Sequence, residues 1–251
     1  MTRIKTMNRM FFESRAYQVM LFNLNFRNSY RQSEELKLRI ETFLQEITNV
    51  YQGHLSAGIL EVHSIHDHIP PNLNLAILDF EGSPAIHLGV LLYDTIYMLT
   101  LLDYEFDLFY RKVIELLSIL VSAKILLFGF SNWDYDVITN IFGRESIDLR
   151  VNNIPLLSQF FYFNLQEHDK ESLSEAIYSI HEELEPDPLF RNSKNINELH
   201  LHKYYQIIRQ HNRSCLLNEV KILKNRFLKK NLIRILNKYE VKPPTKEGLK
   251  E

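Results

Sequence analysis

The sequence predicts an α/β fold: a mixed sheet flanked by helices, ending in a basic helical C-terminal region. Three observations lead there. The short apolar runs Leu73–Leu78 and Ile86–Leu92 are separated by Gly82-Ser83-Pro84 and have the length of buried strands. Val113, Leu116, Leu117, Leu120 and Val121 recur at helical spacing. Beyond Leu199 the helical period continues while the charge turns basic.

The 251 residues suffice for one substantial core. The apolar share is ordinary and glycine is scarce, which excludes disordered and fibrous classes. A single cysteine, Cys215, rules out an internal disulfide framework and fits a reducing compartment. The expected setting is intracellular, the cytoplasm first, with an organelle or the nucleus as alternatives. The longest apolar stretch, Val113 to Phe130, is interrupted by Glu115 and Lys124, so no transmembrane segment is expected. The first residues carry Arg3, Lys5, Arg9 and Arg15 against Glu13, and residues 1–16 are read as a flexible basic terminus, with an organelle-targeting segment as the alternative.

In chain order, Tyr17–Phe26 reads as a first strand. Ser33 reads as the cap of an amphipathic helix through Leu36, Ile40, Phe43, Leu44 and Ile47. Ala57–Val62 is a candidate strand, followed by a loop. After the central strand pair come a helix over Phe109–Ala123, a buried strand over Ile125–Phe130, and a polar junction from Ser131 to Asp136 that leads into another helix. Polar residues at a strand-to-helix junction are where α/β sheets commonly place their chemistry. Ser146–Leu149 reads as a short strand and Leu173–Leu184 as a helix stopped by Pro186 and Pro188. Phe190–Asn197 reads as an exposed boundary loop. Leu199–Arg209 and Leu216–Tyr239 read as helices, and residues 241–251 as a flexible tail.

Asp79 and Glu81 are the candidate chemistry. Residues two apart on a strand share a face, so their carboxylates would sit side by side and repel unless a proton or cation lies between them. A strand ending at Leu78, with both acids in solvent, is the plain alternative. His54, His63, His66 and His68 invite a zinc reading, but no later Cys/His cluster has the spacing to complete it, and structural or surface histidines outweigh it. Glycine-rich phosphate loops, HExxH and Gly-x-Ser-x-Gly are all missing. Lys221, Lys224, Arg226, Lys229, Lys230, Arg234 and Lys238 follow one another without an acid, around an apolar stripe of Leu223, Phe227, Ile233 and Leu236. Such a helix can meet phosphate backbones, and it can equally be a solvated face or contact an acidic partner. Trp133 adds an aromatic platform for an unstacked base.

Asp79-x-Glu81 leading into AIHLGVLLYD resembles the first motif of the DEDD family of 3′–5′ exonucleases, which have a ribonuclease-H-like fold. Asn132 and Asp136 match a later element of that family, with Asp134 as the alternative for the acid. The resemblance covers about Leu73 to Glu219. It implies a ribonuclease-H-like mixed sheet, an exonuclease-like domain over residues 17–219, a separate basic helix over 220–240, and magnesium or manganese held by Asp79, Glu81 and Asp136. The family's last acid falls where this chain has Cys215, with His211 in the place of the preceding tyrosine. A thiol is a poor oxygen substitute for those metals. Glu219, one helical turn further, is the residue that can compensate.

The expected function is therefore a degenerate, noncatalytic exonuclease-like module that binds RNA or protein, with no cofactor. Two alternatives stand beside it: an active magnesium- or manganese-dependent 3′–5′ exonuclease, and an α/β interaction or scaffold protein without nucleic-acid binding.

Overall fold

The computed structural model describes residues 29–148, 162–168, 170–190, 192 and 195–229. The expected N-terminal strand, the basic terminus and the tail all lie outside them. In chain order the elements are α1 (Ser29–Val50), β1 (Leu55–Glu61), β2 (Leu75–Glu81), β3 (His87–Leu92), β4 (Thr95–Leu101), α2 (Phe106–Ser122), β5 (Leu126–Gly129), α3 (Asn132–Asp148), β6 (Tyr162–Asn164), α4 (Leu173–Ser179), α5 (Ile196–Leu201) and α6 (Tyr205–Ile222). A π-helical segment, Leu223–Lys229, continues α6.

The six strands form one mixed sheet in the order β1-β4-β3-β2-β5-β6. β1, β4, β3 and β2 pair antiparallel in succession, and β5 and β6 then add in parallel with β2. The middle strands are apolar on both faces because helices cover both, which is why β2, β3 and β4 read as near-continuous hydrophobic runs. The alternation of β2 divides the core. Ala76, Leu78 and Phe80 point to the layer that contains Ile40, Leu44, Phe109, Val113, Leu117 and Ile138 of α1, α2 and α3. Leu75 and Ile77 point the other way, to Ala176, Ile177, Leu216, Leu217 and Val220 of α4 and α6. Asp79 and Glu81 continue this second row, so the period of two carries both acids toward α6.

Several expectations change. The acids lie inside β2, not beyond it: Asp79 pairs with Gly89 and Glu81 with His87 in the antiparallel ladder. β4 was not among the expected strands. α1 begins by Ser29, so Ser33 is a buried residue inside the helix and not its cap. Ser146–Asp148 belongs to α3 and not to a strand, because the helix that starts at Asn132 runs on through it. The expected break at 219/220 falls within α6, whose Leu216, Leu217, Val220 and Ile222 are all core residues. The described part of the expected basic helix, up to Lys229, therefore continues from α6 and packs its Val220, Ile222 and Leu223 into the core. Among the described residues no helix is long and apolar enough to cross a membrane.

Candidate functional site

Four carboxylates meet where β2 and β5 diverge. Asp79 and Glu81 come from β2, Asp134 from the first turn of α3, and Glu219 from α6. β5 pairs with β2 only as far as Ile77 opposite Phe128, and Asp134 takes over beyond it. Its Oδ1 accepts the Phe80 amide N–H at 3.0 Å, and its Oδ2 accepts the Ser131 hydroxyl at 3.2 Å and the Tyr162 hydroxyl at 3.5 Å. Tyr162 reaches this point because Gly129 lacks a side chain: a Cβ there would lie 2.4 Å from the tyrosine oxygen.

The acids are charged against one another in a poorly hydrated place. Burial first, and then the Asp134 carboxylate, push Asp79 well above the usual range. Glu81 is raised by burial and by Asp79. Burial lifts Asp134 to about 6 despite its hydrogen bonds. Glu219 is raised by burial and by Asp79, Asp134 and Glu81 together. Asp79 still shows some surface to solvent, whereas Glu219 is 1% exposed and its Oε2 has no hydrogen-bond partner. A buried, unpartnered carboxylate oxygen facing three other acids needs a proton or a cation. Carboxylate oxygens are the donors that a hard divalent ion such as magnesium or manganese takes, but the described ligand atoms here that lie within 4.8 Å of one another are those of Glu81, His211 and Cys215, not of the four acids.

Asp79 is held from behind. Asn212 Nδ2 donates to its backbone oxygen at 3.0 Å and to Oδ2 at 2.9 Å. Beneath Asn212 lies His87, whose Nδ1 is 2.9 Å from Thr100 Oγ1 and whose pKa burial lowers to about 3, leaving the ring neutral. Asn212 Oδ1 and His87 Nε2 are both buried without a hydrogen-bond partner. The amide turns its nitrogen to Asp79 and its oxygen toward Gly89. Asn212 can approach only because position 89 is glycine, where a Cβ would fall 1.8 Å from Asn212 Oδ1 and 2.8 Å from Leu216 Cδ1. Gly89→Ala is expected to cost about 1–3 kcal/mol by overpacking, and much less in an Asn212→Ala background. Denaturant unfolding of the two single variants and the double variant checks this coupling.

A second group adjoins the first. His211 Nε2 lies 3.3 Å from Glu81 Oε1, and its Nδ1 is 2.7 Å from Asp187 Oδ1. Cys215 Sγ is 3.8 Å from His211 Nε2. An open recess of about 460 Å³ next to this group is lined by Pro186, Asp187, Pro188, Gln210, Arg213 and Ser214.

The expected site is thus corrected in one place. Asp136 is exposed on α3, and Asp134 is the acid that joins Asp79 and Glu81. The reason is phase: with the helix starting at Asn132, Asp134 lines up with buried Ile138 and Ile141, whereas Asp136 faces outward. Glu219 does converge from the C-terminal helix. Trp133 and Tyr135 flank Asp134 with 39% and 44% exposure.

The expected basic face fares differently. Lys221 bonds to Glu185 at 2.5 Å and to the Glu183 carbonyl at 2.7 Å, and Lys224 donates to the His66 carbonyl. Arg226 is 8% exposed and grips Glu171 with two nitrogens at 2.7 and 2.8 Å. These three side chains are engaged within the fold and not presented to a ligand. Lys230 and Arg234 lie outside the described residues, and Lys229 ends the π-helical segment. Arg226→Ala is expected to destabilise the protein by about 1–3 kcal/mol, because partly buried Glu171 would lose its two charged hydrogen bonds. Thermal unfolding of Arg226→Ala against Arg226→Lys checks this.

The four histidines do not converge either. His63 and His66 are exposed, His68 Nε2 lies 2.6 Å from the Val62 carbonyl, and His54 Nδ1 lies 2.5 Å from Asp103 in an exposed position. Comparison of the chain with protein-family models, with curated proteins and with solved structures finds no match.

Proposed function

We propose that this chain is a metal-dependent 3′–5′ exonuclease of the DEDD type, built on a ribonuclease-H-like sheet. The observation that carries the reading is the convergence of Glu219 on Asp79, Glu81 and Asp134. It supplies from α6 the acid that position 215 lacks. The sheet agrees with this reading: an acid-bearing central strand, an antiparallel neighbour on one side, and a parallel strand on the other whose following helix begins with Asp134. Divalent cations held by these carboxylates would lower the pKa of an attacking water and offset charge on the scissile phosphodiester. The chain's own groups set the stage for that step. Asn212 fixes the rotamer of Asp79, and the Phe80 N–H with Ser131 fixes Asp134.

Single-stranded nucleic acid is the substrate class this surface suits. Arg213 lines the neighbouring recess and makes no hydrogen bond or ion pair with another described residue, so it is free to meet a phosphate. Trp133 and Tyr135 offer faces for splayed bases. A second reading, binding without cleavage, is favoured by Cys215 and His211, which stand where the resemblance calls for an acid and a tyrosine.

The test uses full-length protein with end-labelled single-stranded RNA and DNA in magnesium, manganese or EDTA. Stepwise shortening from the 3′ end that needs the metal is the expected result. Retained complex without shortening would establish the second reading, and neither binding nor shortening would overturn both.

A further inference from the structure

We propose that Glu81, His211 and Cys215 form a zinc-class metal site that shares Glu81 with the carboxylate cluster, with Asp187 as the positioning residue for His211. It stands on the geometry of these side chains, whether or not the neighbouring acids process nucleic acid.

The first support is the set of distances. One ligand atom from each of the three residues lies within 4.8 Å of the others. Zinc bonds of about 2.0–2.2 Å to nitrogen or oxygen and about 2.3 Å to sulfur, at tetrahedral angles, require edges of roughly 3.3–3.5 Å for N···O and 3.6 Å for N···S. His211 Nε2 lies 3.3 Å from Glu81 Oε1 and 3.8 Å from Cys215 Sγ. Both edges are close to those of a filled tetrahedron. His211 and Cys215 are four residues apart on α6, so one helix face supplies both ligands.

The second support is the other side of the imidazole. Nδ1 donates to Asp187 at 2.7 Å, and Asp187 is itself held by the Leu189 amide at 2.8 Å. That bond places a proton on Nδ1, and it is Nε2 that is turned toward Glu81 and Cys215. Nε2 and Glu81 Oε1 lie 3.3 Å apart, so a proton or a metal ion belongs between them. A carboxylate on the non-ligating nitrogen is also the arrangement that orients histidines on zinc.

The donor set selects the class of ion. A thiol, an imidazole and one carboxylate suit zinc or a similar borderline metal, whereas magnesium and calcium take oxygen. Three protein donors leave a fourth position for water or a substrate oxygen, as in zinc sites that take part in chemistry. The Cys215 that weakens the match to a magnesium exonuclease thus acquires a role of its own.

Metal-stripped full-length protein titrated with cobalt(II) tests the assignment. One equivalent should produce a thiolate-to-cobalt charge-transfer band, which stoichiometric zinc then removes. Cys215→Ser should abolish the band, and Asp187→Asn should keep it while weakening zinc binding about 10–100-fold. Asp79→Asn should also keep it, so this assignment and the nuclease reading can fail separately. Because Cys215 is the only cysteine in the chain, alkylation of the wild type by iodoacetamide gives a readout that needs no variant: zinc should protect it. Cobalt bound without the charge-transfer band, or alkylation unaffected by zinc, would overturn the assignment and leave His211 as a hydrogen-bonded bridge between Asp187 and Glu81.

Discussion

Glu219→Gln is expected to raise the melting temperature of the metal-free protein while lowering metal-dependent shortening of RNA by about 100-fold or more, the scale on which loss of one preorganised electrostatic group acts. Opposite signs follow from one cause. Without a cation Glu219 is a liability, buried with Oε2 unpartnered and repelled by three acids. Glutamine keeps its shape, removes a negative charge and adds an N–H that can donate to its neighbours. With the cation present the same carboxylate becomes a ligand that glutamine replaces poorly. A gain in stability of about 1–2 kcal/mol would lift the melting temperature by roughly 2–8 °C in a chain of this size. Melting in EDTA and the end-labelled RNA assay, run on one preparation, measure both. A variant that melts lower in EDTA, or cleaves as well as the wild type, would separate Glu219 from the cluster.

In EDTA, stability is expected to fall as pH rises from about 5 to 8, and saturating manganese to remove most of that fall. The sign follows from linkage. Asp79, Glu81, Asp134 and Glu219 all have folded-state values above their ordinary ones. The folded state therefore keeps protons that the unfolded chain has already lost, and the associated stability is complete below the unfolded values near pH 4. It drains away as pH rises through the folded values, about 6 for Asp134 and raised for the other three. Asp134 alone represents on the order of 3 kcal/mol. Glu171 titrates in the opposite sense, since its bonds to Arg226 hold it low, and it acts below this window. A melting temperature flat from pH 5 to 8 in EDTA, or a fall that manganese leaves untouched, would contradict the account.

What the sequence made legible follows its periodicity. The pair Asp79 and Glu81 sits at the end of a continuous apolar run, and a strand's period of two puts both acids on one face of β2. Choosing Asp134 over Asp136 needed the phase of α3, and the signal was present: Asp134, Ile138 and Ile141 stand at i, i+4 and i+7. β4 escaped because a two-residue connection, Tyr93-Asp94, joins it to β3 without glycine or proline, and Tyr93 itself takes φ 58°. The basic helix shows a different limit. Its spacing is visible along the chain, but Glu171 and Glu185, which engage Arg226 and Lys221, arrive from a segment some 36 to 55 residues away. Asn212 and Gly89 were also invisible as a pair, because only the packing of α6 on β3 joins them.

Manganese binding to the full-length protein, measured by titration calorimetry, tests the central claim most directly. The expected result is binding to the wild type that is lost or strongly weakened in both Asp79→Asn and Glu219→Gln, with each variant still folded. No binding to the wild type, or binding that survives both substitutions, would contradict a cation centre built from these carboxylates.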